Sequence, residues 1–191
     1  MNQKNLFEVD WSKIPAPTDD GAAAHLKGMT IPPISLVATD DTSVTLSALS
    51  GRTVVFAYPR TGEPGKISLV DDWDMIPGAR GCTPQTCAFR DLFADLKAAG
   101  AKSVFGLSTQ SNAYQAEMAS RLHLPFPVLS DEKLKLTRAL DLPTMEVAGL
   151  TLIKRLALIV DDARITHVFY PVFPPDRNAG DVLEWLKENR V

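Results

Sequence analysis

The chain is expected to fold as an α/β sandwich, a mixed central β-sheet flanked by helices. Three observations predict it. Thr53–Tyr58 is an unbroken β-branched and aromatic run, the pattern of a strand buried on both faces. Strand-like and helix-like segments alternate from there to residue 140, the order of a layered α/β domain. Two further strand-like runs, Arg155–Val160 and Arg164–Tyr170, flank Asp161-Asp162-Ala163, which reads as a hairpin.

Taken in order, residues 1–29 read as an extension to a domain covering 30–191. Pro15, Pro17 and Gly21 interrupt it, and only Ala22–Lys27 has room for a helical turn or two. Ser35–Thr39 and Val44–Leu46 are short strands, and Pro59 ends the strand that Thr53 begins. Residues 60–80 carry Gly62, Pro64, Gly65, Pro77 and Gly78. A loop of that length inside a domain is uncommon and typical of lids and binding loops. A helix is expected over Pro84–Ala99, closed by Gly100, then a strand over Lys102–Leu107 and a helix over Asn112–Leu122. Phe126–Leu129 is a short strand, Glu132–Leu140 a helix, and Asn178–Asn189 the closing helix. A thioredoxin-like fold has this order of elements. Fold alone says little about chemistry.

Composition narrows the function. The 191 residues suit one domain, and 45% hydrophobic with 23% charged residues is an ordinary globular mix. There are 20 Lys plus Arg against 23 Asp plus Glu, a net charge of −3. Without a basic surplus there is little to drive nucleic-acid binding. The longest aliphatic runs, such as Leu156–Val160, fall far short of the ~20 residues that span a bilayer. Met1–Glu8 lacks the apolar stretch of a signal peptide, so the expected compartment is the cytoplasm.

The cysteines carry the most information. There are two, Cys82 and Cys87. In a reducing compartment a close pair points to catalysis, redox chemistry or metal binding rather than a structural bridge. The plainer alternative is two buried thiols that happen to be neighbours. Thr83-Pro84 is a helix-start signal, Thr as N-cap and Pro at the first helical position. Cys82 then sits at the helix mouth, where unpaired N–H groups and the dipole favour a thiolate. The apolar stripe Phe89, Leu92, Phe93 and Leu96 leaves Cys87 roughly 170° away, off the core face. Five residues apart on an ideal helix, the two Cα atoms would be about 8.6 Å apart, too far for a disulfide. Either Cys82 lies outside the helix, or the first turn must unwind before the two can join.

Gly81-Cys82-Thr83-Pro84-Gln85-Thr86-Cys87-Ala88-Phe89-Arg90-Asp91 resembles the active-site segment of the peroxiredoxins, in particular the bacterioferritin-comigratory, or PrxQ, subfamily. The resemblance extends over roughly residues 31–190, with the Tyr58-Pro59 strand end and the closing hairpin in place. It implies a thiol-dependent peroxidase acting on hydrogen peroxide and organic hydroperoxides. Cys82 would be the peroxidatic thiol and Cys87 the resolving one, forming an intramolecular disulfide that a thioredoxin-like dithiol reduces. Arg155, just before Leu156–Asp161, matches the family's active-site arginine. Pro59 matches its proline at the substrate site, which makes residues 60–80 an insertion. The family carries Pro and Thr seven and three residues before the peroxidatic Cys, where this chain has Met75 and Ala79. Thr61 and Thr83 are the candidates to replace that threonine. No cofactor or metal is implied, and the expected state is a monomer or weak homodimer.

Other readings compete. Without the resemblance Arg155 is a surface strand residue, and Arg90 is a salt-bridge partner for the acidic residues near it. Trp73 either caps an apolar patch or roofs the pocket. His25, His123 and His167 read as surface or satisfied core residues. The runner-up function is a copper- or metal-binding protein on the same fold, with His167 as a third ligand, but four residues between the cysteines is the wrong spacing. A general thiol–disulfide oxidoreductase normally needs Cys-x-x-Cys, which is missing.

Overall fold

The computed structural model describes residues 9–190. The stretch read for a leader, residues 1–8, lies outside them. The strands are β1 (Ser35–Ala38), β2 (Ser43–Thr45), β3 (Arg52–Ala57), β4 (Ser103–Ser108), β5 (Val128–Ser130), β6 (Thr144–Val147), β7 (Leu150–Ile153), β8 (Leu156–Asp161) and β9 (Arg164–Phe169). Seven of them form one sheet in the order β2-β1-β5-β4-β3-β8-β9, and β6 and β7 pair as a separate hairpin. β3 pairs parallel with β4 and antiparallel with β8, so the sheet is mixed, as expected. Every residue of β3 is buried, which is what its unbroken apolar run demanded.

Successive side chains on a strand point to opposite faces, and this divides the core in two. Val54, Phe56, Tyr58, Ala157 and Ile159 face helices α1 (Cys82–Asp91), α2 (Phe93–Ala98), α3 (Asn112–Arg121) and α5 (Asn178–Glu188). Val55, Ala57, Leu156, Leu158 and Val160 face helix α4 (Lys135–Leu140) and the segment around Leu26. Phe56 stacks on Phe89 of α1 with ring centroids 4.0 Å apart, tying that helix to the central strand. The amino-terminal segment contributes to this packing: Ala23 and Leu26 are buried in the second core.

Three local readings need correction. The helix expected over Pro84–Ala99 is two helices, broken at Leu92, whose φ of −95° and ψ of 6° leave the helical region. Residues 88–98 contain no Gly or Pro, so nothing in the local sequence announces the break. The expected helix over Glu132–Leu140 starts only at Lys135, because the buried Asp131 carboxylate accepts the Leu136 and Thr137 amides and holds the first turn there. The β6–β7 hairpin was not expected at all. Its turn uses Ala148 and Gly149, both at positive φ, and Ala is an unusual residue there.

Candidate active site

Residues 60–80 run from the end of β3 to Gly81, with one short 3-10 turn at Trp73–Met75. Gly81 has φ +105°, and a Cβ there would lie 2.6 Å from both Trp11 and Pro175 side chains. Glycine is therefore required twice, by conformation and by space. Gly81 is the helix N-cap, and it offers no side-chain cap bond. Cys82 is thus the first residue of α1, which corrects the reading of Thr83 as N-cap and Pro84 as the first helical residue. Pro84 is still tolerated, because the first amides of a helix have no intrahelical partner to lose.

Cys82 is buried, and its Sγ lies 3.3 Å from Nη2 of Arg155. Arg155 immediately precedes β8, whose Leu156 pairs with Ala57 at the end of β3. It is 2% exposed, not the surface strand residue of the competing reading. Its Nη2 also donates to the carbonyls of Gly78, Ala79 and Arg80 at 3.1–3.3 Å, and Nη1 donates to Gln85 Oε1. Gln85 in turn donates to Asn178 Oδ1 at 2.9 Å. All these acceptors are neutral, and no carboxylate pairs with Arg155 among the described residues. A buried cation without a counter-charge is costly, so the site is electrostatically complete only with an anion, and the sulfur of Cys82 is in place to be one.

Cys87 lies in the same helix and is free, as is Cys82. An intact α1 runs through both residues, so a bond between them requires the first turn to unwind. Cys87 does not face away from the core as its helical angle suggested. It is 7% exposed and part of the cluster around Phe56 and Phe89. The stripe used to orient it belongs to two helices rather than one. Moreover, α1 is covered on nearly all sides, with Cys82 to Cys87 buried throughout. Burial pushes the Cys87 thiol above its ordinary pKa, opposed in part by the positive charge of Arg90.

Cys82 opens on a cavity of about 430 Å³. Its wall includes Arg60, Thr61, Trp73, Arg80, Thr83 and Tyr114, so both threonine candidates reach it. Thr61 is fixed by Gln110, whose Oε1 accepts from its amide and hydroxyl at 2.9 and 3.1 Å. Pro59 is not part of this wall. It is buried behind it, where its carbonyl accepts the Ser108 hydroxyl at 3.3 Å. Trp73 does both things expected of it: it lines the cavity and packs on Ala79, Val147 and Leu152. The β6–β7 hairpin therefore supports the loop. Gln85, Gln110, Tyr114 and Arg60 were not singled out from the sequence, because polar residues spread over four segments converge only in the fold.

The remaining candidates sit elsewhere. Arg90 pairs with Asp91 at 2.8 Å and donates to the Leu122 carbonyl. His25 bonds the Leu140 carbonyl at 2.9 Å. His167 is stacked on Trp185, the ring that also lies under Arg52. It keeps company with that arginine, not with the cysteines, and the metal-binding alternative is not favoured. No helix among the described residues is long and apolar enough to cross a membrane.

Residues 26–183 match the Redoxin family. Chloroplastic peroxiredoxin Q of Oryza sativa subsp. japonica is 32% identical over 163 residues, which cover 84% of this chain and 66% of the rice protein. The chain thus spans just under two thirds of that relative's length. Chloroplastic peroxiredoxin Q of Sedum lineare is also 32% identical over 163 residues, covering 84% of this chain and 77% of the relative. Among solved structures, peroxidoxin BcpB of Mycobacterium tuberculosis superposes with a TM-score of 0.70 at 27% identity, over 87% of this chain and 100% of that one. Peroxiredoxin Q of Xanthomonas campestris, at 21% identity, shares the fold with a TM-score of 0.65, over 92% of this chain and 98% of that one. With two cysteines five residues apart at the start of a helix and a buried arginine on the first of them, the chain belongs to the redoxin family and is a peroxiredoxin of the PrxQ, or bacterioferritin-comigratory, type.

Proposed function

We propose that this chain is a thiol-dependent peroxidase that reduces hydrogen peroxide and organic hydroperoxides. The observation that carries the reading is the Arg155 guanidinium, buried, without a carboxylate, 3.3 Å from Cys82 Sγ. The Cys82 thiolate attacks the distal, hydroxyl-bearing oxygen of the peroxide. An S–O bond forms, the O–O bond breaks, and the sulfur gives up two electrons to become a sulfenic acid. The departing oxygen leaves as hydroxide or alkoxide and takes a proton to give water or an alcohol. Arg155 Nη2 and the free amides at the start of α1 stabilise both the thiolate and the charge on the departing oxygen.

In the second step the first turn of α1 unwinds and Cys87 attacks the sulfenic sulfur. The disulfide forms and the sulfenic oxygen leaves as water. A thioredoxin-like dithiol then reduces the disulfide by exchange, becoming oxidised itself. In this reading Cys82, Cys87 and Arg155 are catalytic and Thr83 contacts the peroxide. Pro59 acts from behind the wall, by fixing where Arg60 and Thr61 begin.

The test is intact-mass spectrometry of the reduced protein after one equivalent of peroxide, beside peroxide consumption with a dithiol reductant. The parent protein should lose two hydrogens as the disulfide forms. Cys87→Ser should gain one oxygen at Cys82 and then stall or over-oxidise. Cys82→Ser should consume no peroxide, and wild-type activity in that variant would end the assignment.

A further inference from the structure

Resting on the peroxidase reading, we infer that the cavity over Cys82 is built for elongated hydroperoxides carrying a carboxylate, with Arg60 as the residue that takes the carboxylate. Hydrogen peroxide is hardly larger than a water molecule, which occupies ~30 Å³ of the liquid. The cavity is about 430 Å³, and its excess comes from residues 60–80. That loop supplies an apolar wall of Ile67, Leu69 and Trp73, continued by Pro84 at the start of α1. Ile67 is 98% exposed, so its apolar surface is open to a ligand chain.

Three cationic side chains line the same cavity, and they are not equivalent. Arg80 pairs with Asp74 at 3.3 Å, and Lys66 forms an ion pair with Glu63. Arg60 has no carboxylate partner and no side-chain hydrogen bond among the described residues. Its guanidinium lies over the Tyr114 ring, 5.0 Å from the centroid. A guanidinium held flat on an aromatic face keeps its N–H edge free, and a carboxylate matches that edge with two parallel hydrogen bonds. The Tyr114 ring is itself fixed, its hydroxyl donating to the Thr61 carbonyl at 3.0 Å. The cavity therefore combines a reactive sulfur, an apolar wall and one positioned, unpaired cation. An uncharged peroxide uses only the first.

The experiment measures second-order rate constants for oxidation of the reduced protein by three peroxides: hydrogen peroxide, a medium-chain hydroperoxy acid, and the methyl ester of that acid. The readout is the acid-to-ester ratio, which cancels chain length and intrinsic peroxide reactivity. At low salt the acid should react about tenfold faster, the size of one charge-assisted contact at a half-exposed site, and the ratio should shrink as ionic strength rises. Arg60→Met should bring the ratio to about one, and Arg60→Lys should restore part of it. Equal rates for acid and ester in the parent protein, or an undiminished ratio in Arg60→Met, would overturn the inference. A protein that consumes hydrogen peroxide but cannot tell acid from ester loses only this inference. One that consumes no peroxide at all loses the peroxidase reading beneath it.

Discussion

Two buried arginines sit at opposite ends of the β3–β8 ladder, and they are solved differently. Arg52 pairs across to Asp161, and Arg155 abuts the Ala57–Leu156 pair at the other end. Arg52 meets both oxygens of the Asp161 carboxylate at 2.8 and 2.9 Å, lies over the Trp185 ring, and donates to the Asn189 carbonyl. Its charge is neutralised in place, and the arrangement fastens α5 to the sheet. Arg155 is held through Nη1 and Nη2 alone, and they meet only carbonyls, an amide oxygen and a sulfur. Its Nη1 and Nη2 donors are engaged, its buried Nε has no partner among the described residues, and its charge is uncancelled. The lesson is that burial alone does not mark a functional cation. The chemistry of the acceptors does, because neutral acceptors hold a guanidinium still while leaving its field available to an anion.

Substitution at each end should separate the two roles. Arg155→Met should slow oxidation of the reduced protein by peroxide by roughly 2–4 kcal/mol of transition-state stabilisation, as for one well-placed oxyanion donor. Its melting temperature should change little, since removal of a buried charge that no carboxylate pairs offsets the donor lost to Gln85 and the three loop carbonyls. Arg52→Met should do the reverse. It strands Asp161 and should cost about 2–3 kcal/mol of unfolding free energy, below the fully buried case because that carboxylate is partly exposed. Its peroxide rate should match the parent protein's. If both variants lose activity, or both lose only stability, the two arginines are the same device and the comparison fails.

A smaller effect is expected from Gln85→Leu, which removes the acceptor that orients Arg155 Nη1 and also severs the link to Asn178. The rate should fall about tenfold, the worth of one buried hydrogen bond to a charged group. A rate equal to the parent's would mean that the three loop carbonyls position Arg155 unaided. The smallest effect is a pH dependence confined to the Arg52 end. Hydrogen bonding to Arg52 holds the Asp161 carboxyl below its ordinary pKa, with burial opposing and Thr166 assisting. A carboxyl lowered in the fold stabilises above its unfolded pKa of about 3.9, and that contribution is lost as pH falls through the folded value. Denaturation midpoints should therefore drop below about pH 4 in the parent and less steeply in Asp161→Asn. A parallel slope in the two proteins would show that other carboxylates dominate the acid transition.

Much of this architecture is legible in the sequence. The β3 run, the Asp161-Asp162-Ala163 hairpin and the closing helix are local patterns, and local patterns survive folding. Cys82 at a helix start was legible as well, although Gly81 rather than Thr83 makes the cap. What escaped was whatever depends on residues distant in sequence. The burial of Cys87 is decided by what covers α1 on its other sides, and no helical angle reports that. Arg155 could be proposed only from a family resemblance, since one arginine before a strand is unremarkable until Gly78, Ala79 and Arg80 are seen folded onto it. The break at Leu92 and the β6–β7 hairpin carry no Pro, and only Gly149 hints at the turn. Their reasons are tertiary: two helices that both reach the Phe56 cluster, and a ribbon on which Trp73 can rest.

That break at Leu92 bears on how far a disturbance travels. Cooperative unfolding spreads along a helix because each lost turn exposes the next one's hydrogen bonds. Both cysteines lie on the ten-residue piece that ends at Asp91, while Leu96, fully buried, belongs to the piece beyond. Melting that starts at Cys82 therefore meets a boundary before it reaches the residues that pin α2 to the sheet. A single straight helix over 82–98 would have linked redox chemistry at one end to the integrity of the core at the other. Divided as it is, the chain places a boundary between the turn that the proposed cycle unwinds and the helix that carries Leu96.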